Sequence, residues 1–210
     1  MNILVTAGPT REFVDDVRYL SNLSSGKMGY AIAEAAQKAG HAVTLVSGPT
    51  ALQPPPGVSL IDIESAEEMY RAALKAWPDT QALVMAAAVA DYRPALRTPG
   101  KMKKAERGAL TLELVRTRDI LAELSSRKEN RILIGFALET ESLLAEATRK
   151  LTQKSLDAVV ANSLENLGSD HATATVIEAD GASQTWTALP KLELGRRLVA
   201  LVERLAGGRP

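Results

Sequence analysis

The sequence predicts a three-layer α/β/α arrangement around a mainly parallel sheet. Three observations predict it. Short apolar runs alternate with longer stretches whose apolar residues recur at helical spacing. The runs, beginning with N-I-L-V-T-A, are nearly continuous in apolar residues, as strands buried on both faces are. Strands separated by helices need crossover connections, which make the sheet parallel and place helices on both its faces. A length of 210 residues fits one domain, residues 1–210.

N-I-L-V-T-A ends at the turn G-P-T. From Ser25 to Ala39, Met28, Ile32, Ala35, Ala36 and Ala39 keep helical spacing, and Gly40 is a stop signal. A-V-T-L-V-S-G is a second strand with another Gly-Pro turn, and P-P-P-G marks a loop before the third, V-S-L-I-D-I. Ser65 and Glu68 form a capping-box pattern for a helix reaching Trp77. A-L-V-M-A-A-A-V-A is a fourth strand, rich in small residues. R-I-L-I-G-F-A is a fifth, Thr140 to Leu151 a helix with apolar Leu143, Leu144, Ala147 and Leu151, and L-D-A-V-V-A-N a sixth strand.

Residues 92–116 break this rhythm. They hold Arg93-Pro94, Thr98-Pro99-Gly100 and the cluster K-M-K-K, then L-T-L-E-L-V with period-two alternation. This reads as a flexible basic flap followed by an excursion strand suited to lie on a partner chain. T-A-T-V-I-E-A-D-G-A-S-Q-T-W-T-A-L is a hairpin around Asp180-Gly181. A last amphipathic helix covers about Pro190 to Leu205.

Composition excludes several function classes. Lys+Arg and Asp+Glu both total 25, so bulk charge gives no support to a nucleic-acid or membrane-surface role. With no cysteine there is no disulfide, thiolate zinc site or cysteine nucleophile, which fits a reducing compartment. No apolar run approaches the roughly 20 residues of a membrane span. M-N-I-L-V-T-A enters a strand directly, without the basic region and cleavage site of a signal peptide. His41 and His171 are expected as solvated loop residues.

Ligands of open parallel sheets sit beyond the carboxyl ends of the strands. This sequence places A-G-P-T-R-E, S-G-P-T, A-A-A-V-A-D-Y-R, G-F-A-L-E-T and A-N-S there, and their small residues allow close approach of a ligand to the backbone. Four features carry charge or reactivity. S-N-L-S-S-G-K-M-G has the Gly-Lys of a P-loop, but Ser21 and Met28 stand where that loop needs Gly and Ser or Thr. Asn22 to Lys27 therefore reads either as an anion site at a helix start, with Asn22 a donor to an oxyanion, or as an ordinary N-cap. Asp91 reads as a ligand for Mg²⁺ bridging phosphates or as a turn carboxylate. Lys101, Lys103 and Lys104 read as phosphate partners or as a solvated face. Lys150 and Lys154, one turn apart, read as ligand contacts or as complements to a helix dipole. No nucleophile–base–acid set is visible, which suits phosphoryl or nucleotidyl transfer, where positioning and electrostatics dominate.

T-A-G-P-T-R-E, R-Y-L-S-N-L-S-S-G-K-M-G, T-L-V-S-G-P, A-A-V-A-D-Y-R, K-M-K-K, G-F-A-L-E-T and A-V-V-A-N resemble, in order, the signature blocks of phosphopantothenoylcysteine synthetase. The resemblance reaches to about Asn162 and is closest to the bacterial, CTP-using form, often fused behind a flavin-dependent decarboxylase. It implies a Rossmann-like (ribokinase-like) fold and a cytoplasmic enzyme of coenzyme A biosynthesis. CTP would activate the carboxylate of 4'-phosphopantothenate as an acyl-cytidylate, with Mg²⁺ (or Mn²⁺) as cofactor. L-cysteine would then displace CMP. The resemblance also implies a homodimer exchanging the 92–116 region, and assembly with a decarboxylase.

Carried over by residue, the resemblance makes Asn22 the asparagine that binds the acyl intermediate and Lys101 the flap lysine that helps form it. Asp91 becomes a nucleotide- and cation-site aspartate, with Ala86 and Ala87 on the strand beside it. Arg118, Asp119, Ile120, Leu121, Phe136, Lys150 and Lys154 become further CTP contacts, with Gly8 in the same nucleotide set. In R-T-R-D-I the family often has Asn-Pro-Asp-Ile, so at Arg118 only a backbone contact carries over. Arg18 matches an active-site arginine contributed across a dimer, and Ser24, Ser25, Gly26 and Lys27 match the phosphate-binding block.

Two rivals stand beside this reading. An NAD(P)-dependent oxidoreductase needs G-x-G-x-x-G after the first strand and an acidic residue near the end of the second. A-G-P-T-R-E-F and V-S-G-P supply neither. A non-enzymatic nucleotide-sensing or flavoprotein-partner domain has no use for Asn22, Asp91 and Lys101 together.

Overall fold

The computed structural model describes residues 1–103, 109–138 and 143–208. The central sheet has eight strands: β1 (Asn2–Ala7), β4 (Ala42–Ser47), β5 (Ser59–Asp62), β6 (Ala82–Met85), β9 (Ile132–Leu138), β10 (Ala158–Asn162), β11 (His171–Glu178) and β12 (Ser183–Pro190). Their spatial order is β12-β11-β10-β9-β6-β1-β4-β5. From β5 to β10 every pairing is parallel, and β11 and β12 add antiparallel at the end. The predicted α/β/α architecture is therefore present.

Alternation along the strands sorts residues into two cores, because successive side chains point to opposite faces. Ile3, Val5 and Ala7 of β1 face α1 (Lys27–Lys38) and α5 (Lys191–Gly207). Leu4 faces the layer of α2 (Ala66–Ala76), α3 (Ile120–Ser125) and α4 (Leu143–Gln153). What fastens α5 can be decided by magnitude. Its ion pair Arg204–Glu178 is partly solvent-exposed, and such pairs contribute about 0–1 kcal/mol. Leu194, Leu198, Val199, Leu201 and Val202 are all buried, at about 1.5–3 kcal/mol each. The apolar face dominates. The approach to α1 is close: a Cβ on Gly195 would lie 2.8 Å from the carbonyl oxygen of Ala31.

Several elements differ from expectation. The first helix starts at Lys27, two residues after Ser25, because Gly26 has φ 75°, in the left-handed region. The Ser65–Glu68 capping box is present in full. The regular fourth strand stops at Met85; residues 86–90 continue beside residues 6–10, held by the Ala86 and Ala88 amides and by a bridge between Pro9 and Ala88. The excursion strand shrinks to β8 (Leu114–Arg116), which pairs antiparallel with β7 (Tyr92–Pro94) of the same chain, while residues 110–113 form no strand. The hairpin of β2 (Arg11–Phe13) and β3 (Tyr19–Ser21) and the short α3 were not foreseen. His41 is not solvated: its side chain is 11% exposed and its Nε2 lies 3.0 Å from Glu203. His171 is exposed but opens β11 rather than lying in a loop. Lys104 and the expected start of the fourth helix at Thr140 fall outside the described residues. Among the described residues no helix is long and apolar enough to cross a membrane.

Candidate active site

The strand order reverses at β1: the chain moves from β1 to β4 and β5, then returns to β6 on the other side. The carboxyl ends of β1 and β6 thus flank a topological switch point, the expected place for a ligand. Beyond it, residues 86–90 form a wall alongside residues 6–10: the Ala86 and Ala88 amides donate to the Thr6 and Gly8 carbonyls at 3.2 and 2.9 Å, and the Thr10 amide donates to the Ala88 carbonyl at 3.3 Å. Thr6 Oγ1 accepts from the Ala87 amide at 3.2 Å and Thr10 Oγ1 from the Ala90 amide at 2.9 Å. Thr117 Oγ1 donates to the Ala90 carbonyl at 2.6 Å. Asn22 Nδ2 donates to the carbonyls of Ala88 and Val89, at 3.2 and 3.0 Å. These side chains add to the backbone bonds that residues 6–10 supply. Asn22 is therefore not a helix cap; it holds the wall, and both its amide protons are engaged in doing so.

On one side of the wall lies a cleft of about 420 Å³. It gathers most of the expected nucleotide set: Ala87, Asp91, Phe136, Lys150 and Lys154, with Arg118, Asp119, Ile120 and Leu121 at the start of α3. Asp91 is exposed there. Asp119 caps α3, accepting from the Ala122 amide at 3.0 Å, and also meets Lys154 at 2.8 Å. Burial alone would raise the Asp119 carboxyl; the hydrogen bonds from Lys154 and Ala122 and the charges of Lys154 and Lys150 outweigh it and hold it below the usual carboxylate range. Lys150 Nζ donates to the carbonyl of Phe136. The side chains of Ile120 and Leu121 are only 1% and 3% exposed and belong to the core, so what they offer a ligand is backbone. Arg118 turns outward to Glu67 and over the Tyr70 ring, which likewise leaves its backbone at the cleft.

On the other side is a smaller cleft of about 160 Å³. Ser24, Ser25, Gly26 and Lys27 line it, as do Ala86 and Ala87, and Phe136 borders both clefts. The start of α1 opens here, and no side chain caps it. A Cβ on Gly26 would lie 2.6 Å from Thr50 Cγ2, so a larger residue is barred by space as well as by φ. Ser24 Oγ accepts from the Gly26 amide at 3.3 Å. Lys27 reaches across to the Gly168 carbonyl and Asp170, at 3.0 and 2.6 Å, instead of pointing into open space.

Some expected residues stand apart. Gly8 packs against Gly48, Thr50 and Gly26, away from the nucleotide-side lining. Arg18 and Lys101 border neither cleft; both lie where the β2–β3 turn meets the flap base. Conversely, sequence reasoning assigned no site role to Asn162 or Lys191, which line the smaller cleft. Asn162 Oδ1 is buried without a hydrogen-bond partner among the described residues, an acceptor available to a donor that enters the cleft. Its place at the end of a strand, in A-V-V-A-N, was a legible signal; Lys191 gave none, because it comes from the far end of the chain.

A parallel sheet with a two-sided crevice of small residues, helix-start amides and lysines at its switch point defines the class: an α/β domain whose crevice suits anionic small molecules. The family follows from comparison. The model of the DNA/pantothenate metabolism flavoprotein C-terminal domain matches residues 1–205, and the chain belongs to that family. It is 40% identical over 210 residues to the coenzyme A biosynthesis bifunctional protein CoaBC of Bacillus subtilis, covering 98% of this chain and 52% of that protein. It is 48% identical over 163 residues to the CoaBC protein of Vibrio vulnificus, covering 77% of this chain and 41% of that protein. The chain thus spans about half the length of these relatives. A crystal structure of the C-terminal domain of a CoaBC protein superposes with TM-score 0.87 at 40% identity, covering 99% of this chain and 96% of that one.

Proposed function

We propose that this domain joins 4'-phosphopantothenate to L-cysteine at the expense of CTP, through an acyl-cytidylate. The observation that carries the reading is the pair of clefts sharing Ala87 and Phe136. One side offers lysines and backbone to a nucleotide, the other a helix start to a phosphate. The relatives' role in coenzyme A biosynthesis supports the same assignment. In the first step a carboxylate oxygen of 4'-phosphopantothenate attacks the α-phosphorus of CTP, and the bond to pyrophosphate breaks. In the second the cysteine amine attacks the acyl carbon, loses a proton, and CMP leaves.

The chain's own part is to position and to screen charge. Lys150 and Lys154 border the nucleotide side, Lys101 on the flap offsets charge as the two anions meet, and the α1 start receives the substrate phosphate. Asn22 holds the wall against which the acyl group changes partners. Among the described residues no three His, Asp or Glu side chains converge on one point. Asp91 is exposed in the larger cleft, which fits a hard divalent cation held by one carboxylate together with phosphate oxygens and water. A bound Mg²⁺ or Mn²⁺ would neutralise triphosphate charge there.

Pyrophosphate release tests this reading. Release is expected from CTP with 4'-phosphopantothenate and Mg²⁺ before cysteine is added, and more slowly from ATP. No release at saturating substrates would refute the ligase, and tight NADPH binding instead would revive the oxidoreductase.

We also propose a homodimer, with a decarboxylase as a further partner; that the relatives are named bifunctional supports a second activity beside this one. The β7–β8 ribbon and the residues beside it expose Tyr92, Leu96, Leu110, Leu112 and Leu114, an apolar patch that a second copy would cover. Sedimentation equilibrium should give twice the chain mass; a monomer at micromolar concentration would exclude this.

A further inference from the structure

We propose that Asp15 and Asp16 are positioning residues, a two-carboxylate clasp that fixes the backbone on both sides of Lys101 and seats Arg18 beside it. The proposal rests on the ligase reading for its kinetic consequence and on geometry for the clasp itself.

Asp15 is fully buried at the turn between β2 and β3. Its Oδ1 accepts from the amides of Val17 and Arg18, at 2.8 and 2.7 Å, and closes the turn. Its Oδ2 faces the flap base, accepting from Arg18 Nη1 at 2.7 Å and from the Met102 amide at 3.0 Å. Asp16 holds the residue before Lys101: its Oδ2 accepts from the Gly100 amide at 2.7 Å and its own amide donates to the Gly100 carbonyl at 3.1 Å. Its Oδ1 meets Arg97 at 2.9 Å. The Thr98 amide donates to the Val14 carbonyl, and Arg18 Nη1 to the Met102 carbonyl at 3.2 Å.

Lys101 is thus gripped by its neighbours on either side while its own side chain is exposed. A flexible lysine delivers charge to one place only if its backbone is fixed, and these two carboxylates fix it. The same turn continues through β3 into Asn22. The clasp therefore joins Lys101 and Asn22, the two residues proposed to handle the acyl intermediate, and seats Arg18 beside the flap base. Both carboxyls are held below the usual range. For Asp15 burial pushes up, and the amides of Val17, Met102 and Arg18 together push down harder. For Asp16 the Arg97 hydrogen bond is the leading cause. Among the described residues, neither hydrophobic core includes any of 14–18 or 97–102, so loosening the clasp leaves the cores intact.

The test is a double-mutant cycle on pyrophosphate release. An amide at position 15 keeps one acceptor and turns a donor toward N–H groups that now have no partner. Asp15→Asn is expected to slow the first step by about 100-fold through misplacement of Lys101, with KM for CTP changed by less than about twofold. In a Lys101→Gln background the same change should have almost no further effect, since it acts through that lysine. Multiplicative losses in the double variant would overturn the proposal, as would a normal first step in Asp15→Asn. Trypsin cleavage after Arg97, Lys101 or Lys103 reads the clasp without any activity. It should be about tenfold faster in Asp15→Asn than in the unaltered chain, well below the melting temperature of either and with no matching rise in cleavage outside residues 97–103. If the unaltered chain releases no pyrophosphate, the ligase reading fails, and the cleavage rate still decides the clasp: unchanged cleavage overturns it. Should Asp15→Asn not fold, Asp16→Asn, at a half-exposed carboxylate, carries the same cycle with a smaller loss, and no change in either readout refutes the clasp.

Discussion

Lys101→Gln should reduce pyrophosphate release from CTP and 4'-phosphopantothenate by about 100-fold or more, the scale on which loss of a group stabilising transition-state charge is felt. Glutamine keeps most of the reach and removes the charge. In the proposed mechanism the first step brings a carboxylate toward a triphosphate, so a mobile cation would matter more there than anywhere later. Lys101 is exposed and its backbone is gripped through Gly100 and Met102, so the variant should fold and melt as the unaltered chain does. Rapid-quench measurement of acyl-cytidylate gives the answer. Intermediate formed at the normal rate would remove Lys101 from the chemistry and return it to the solvated face of the flap.

Asn22→Asp should have the opposite signature. The intermediate is expected to form and accumulate, while its conversion by cysteine falls by about 100-fold. The two side chains are nearly isosteric, but the Asn22 amide donates to two carbonyls, Ala88 and Val89. A carboxylate there would face two acceptors and offer no donor. The wall against which the acyl group must be turned toward the amine would loosen, and a negative charge would stand near an already anionic intermediate. Mass detection of acyl-cytidylate in the presence of cysteine is the measurement, and an unchanged steady-state rate would defeat the assignment.

Much of the fold could be read in the sequence because its strongest signals are local. The strand N-I-L-V-T-A, the Ser65–Glu68 box and the Asp180-Gly181 hairpin each declare themselves within a few residues. What escaped depends on contacts distant in sequence. A-A-A-V-A continues the apolar run of β6, yet it is not regular strand, because backbone bonds to residues 6–10 are interspersed with bonds from the Thr6, Thr10, Asn22 and Thr117 side chains. The period-two pattern of L-T-L-E-L-V promised a longer strand than the three residues that find a partner in β7. The site was legible as blocks but not as geometry. Asp91, Phe136, Lys150 and Lys154, scattered along the chain, line one cleft. Nothing local could reveal that Lys27 clasps Asp170 or that Gly8 packs beside Gly26.

The contact between Gly195 and Ala31 has a mechanical consequence. Two helices normally keep a cushion of side chains between them and can slip by small rotamer changes. Here backbone meets backbone, with less room than one methyl group needs. Advancing α5 along α1 by a single residue, a rise of about 1.5 Å, would drive a bulkier neighbour of Gly195 into the Ala31 carbonyl. The pair is therefore locked like a keyed shaft. A shift of α1 along its axis would be expected to take α5 with it.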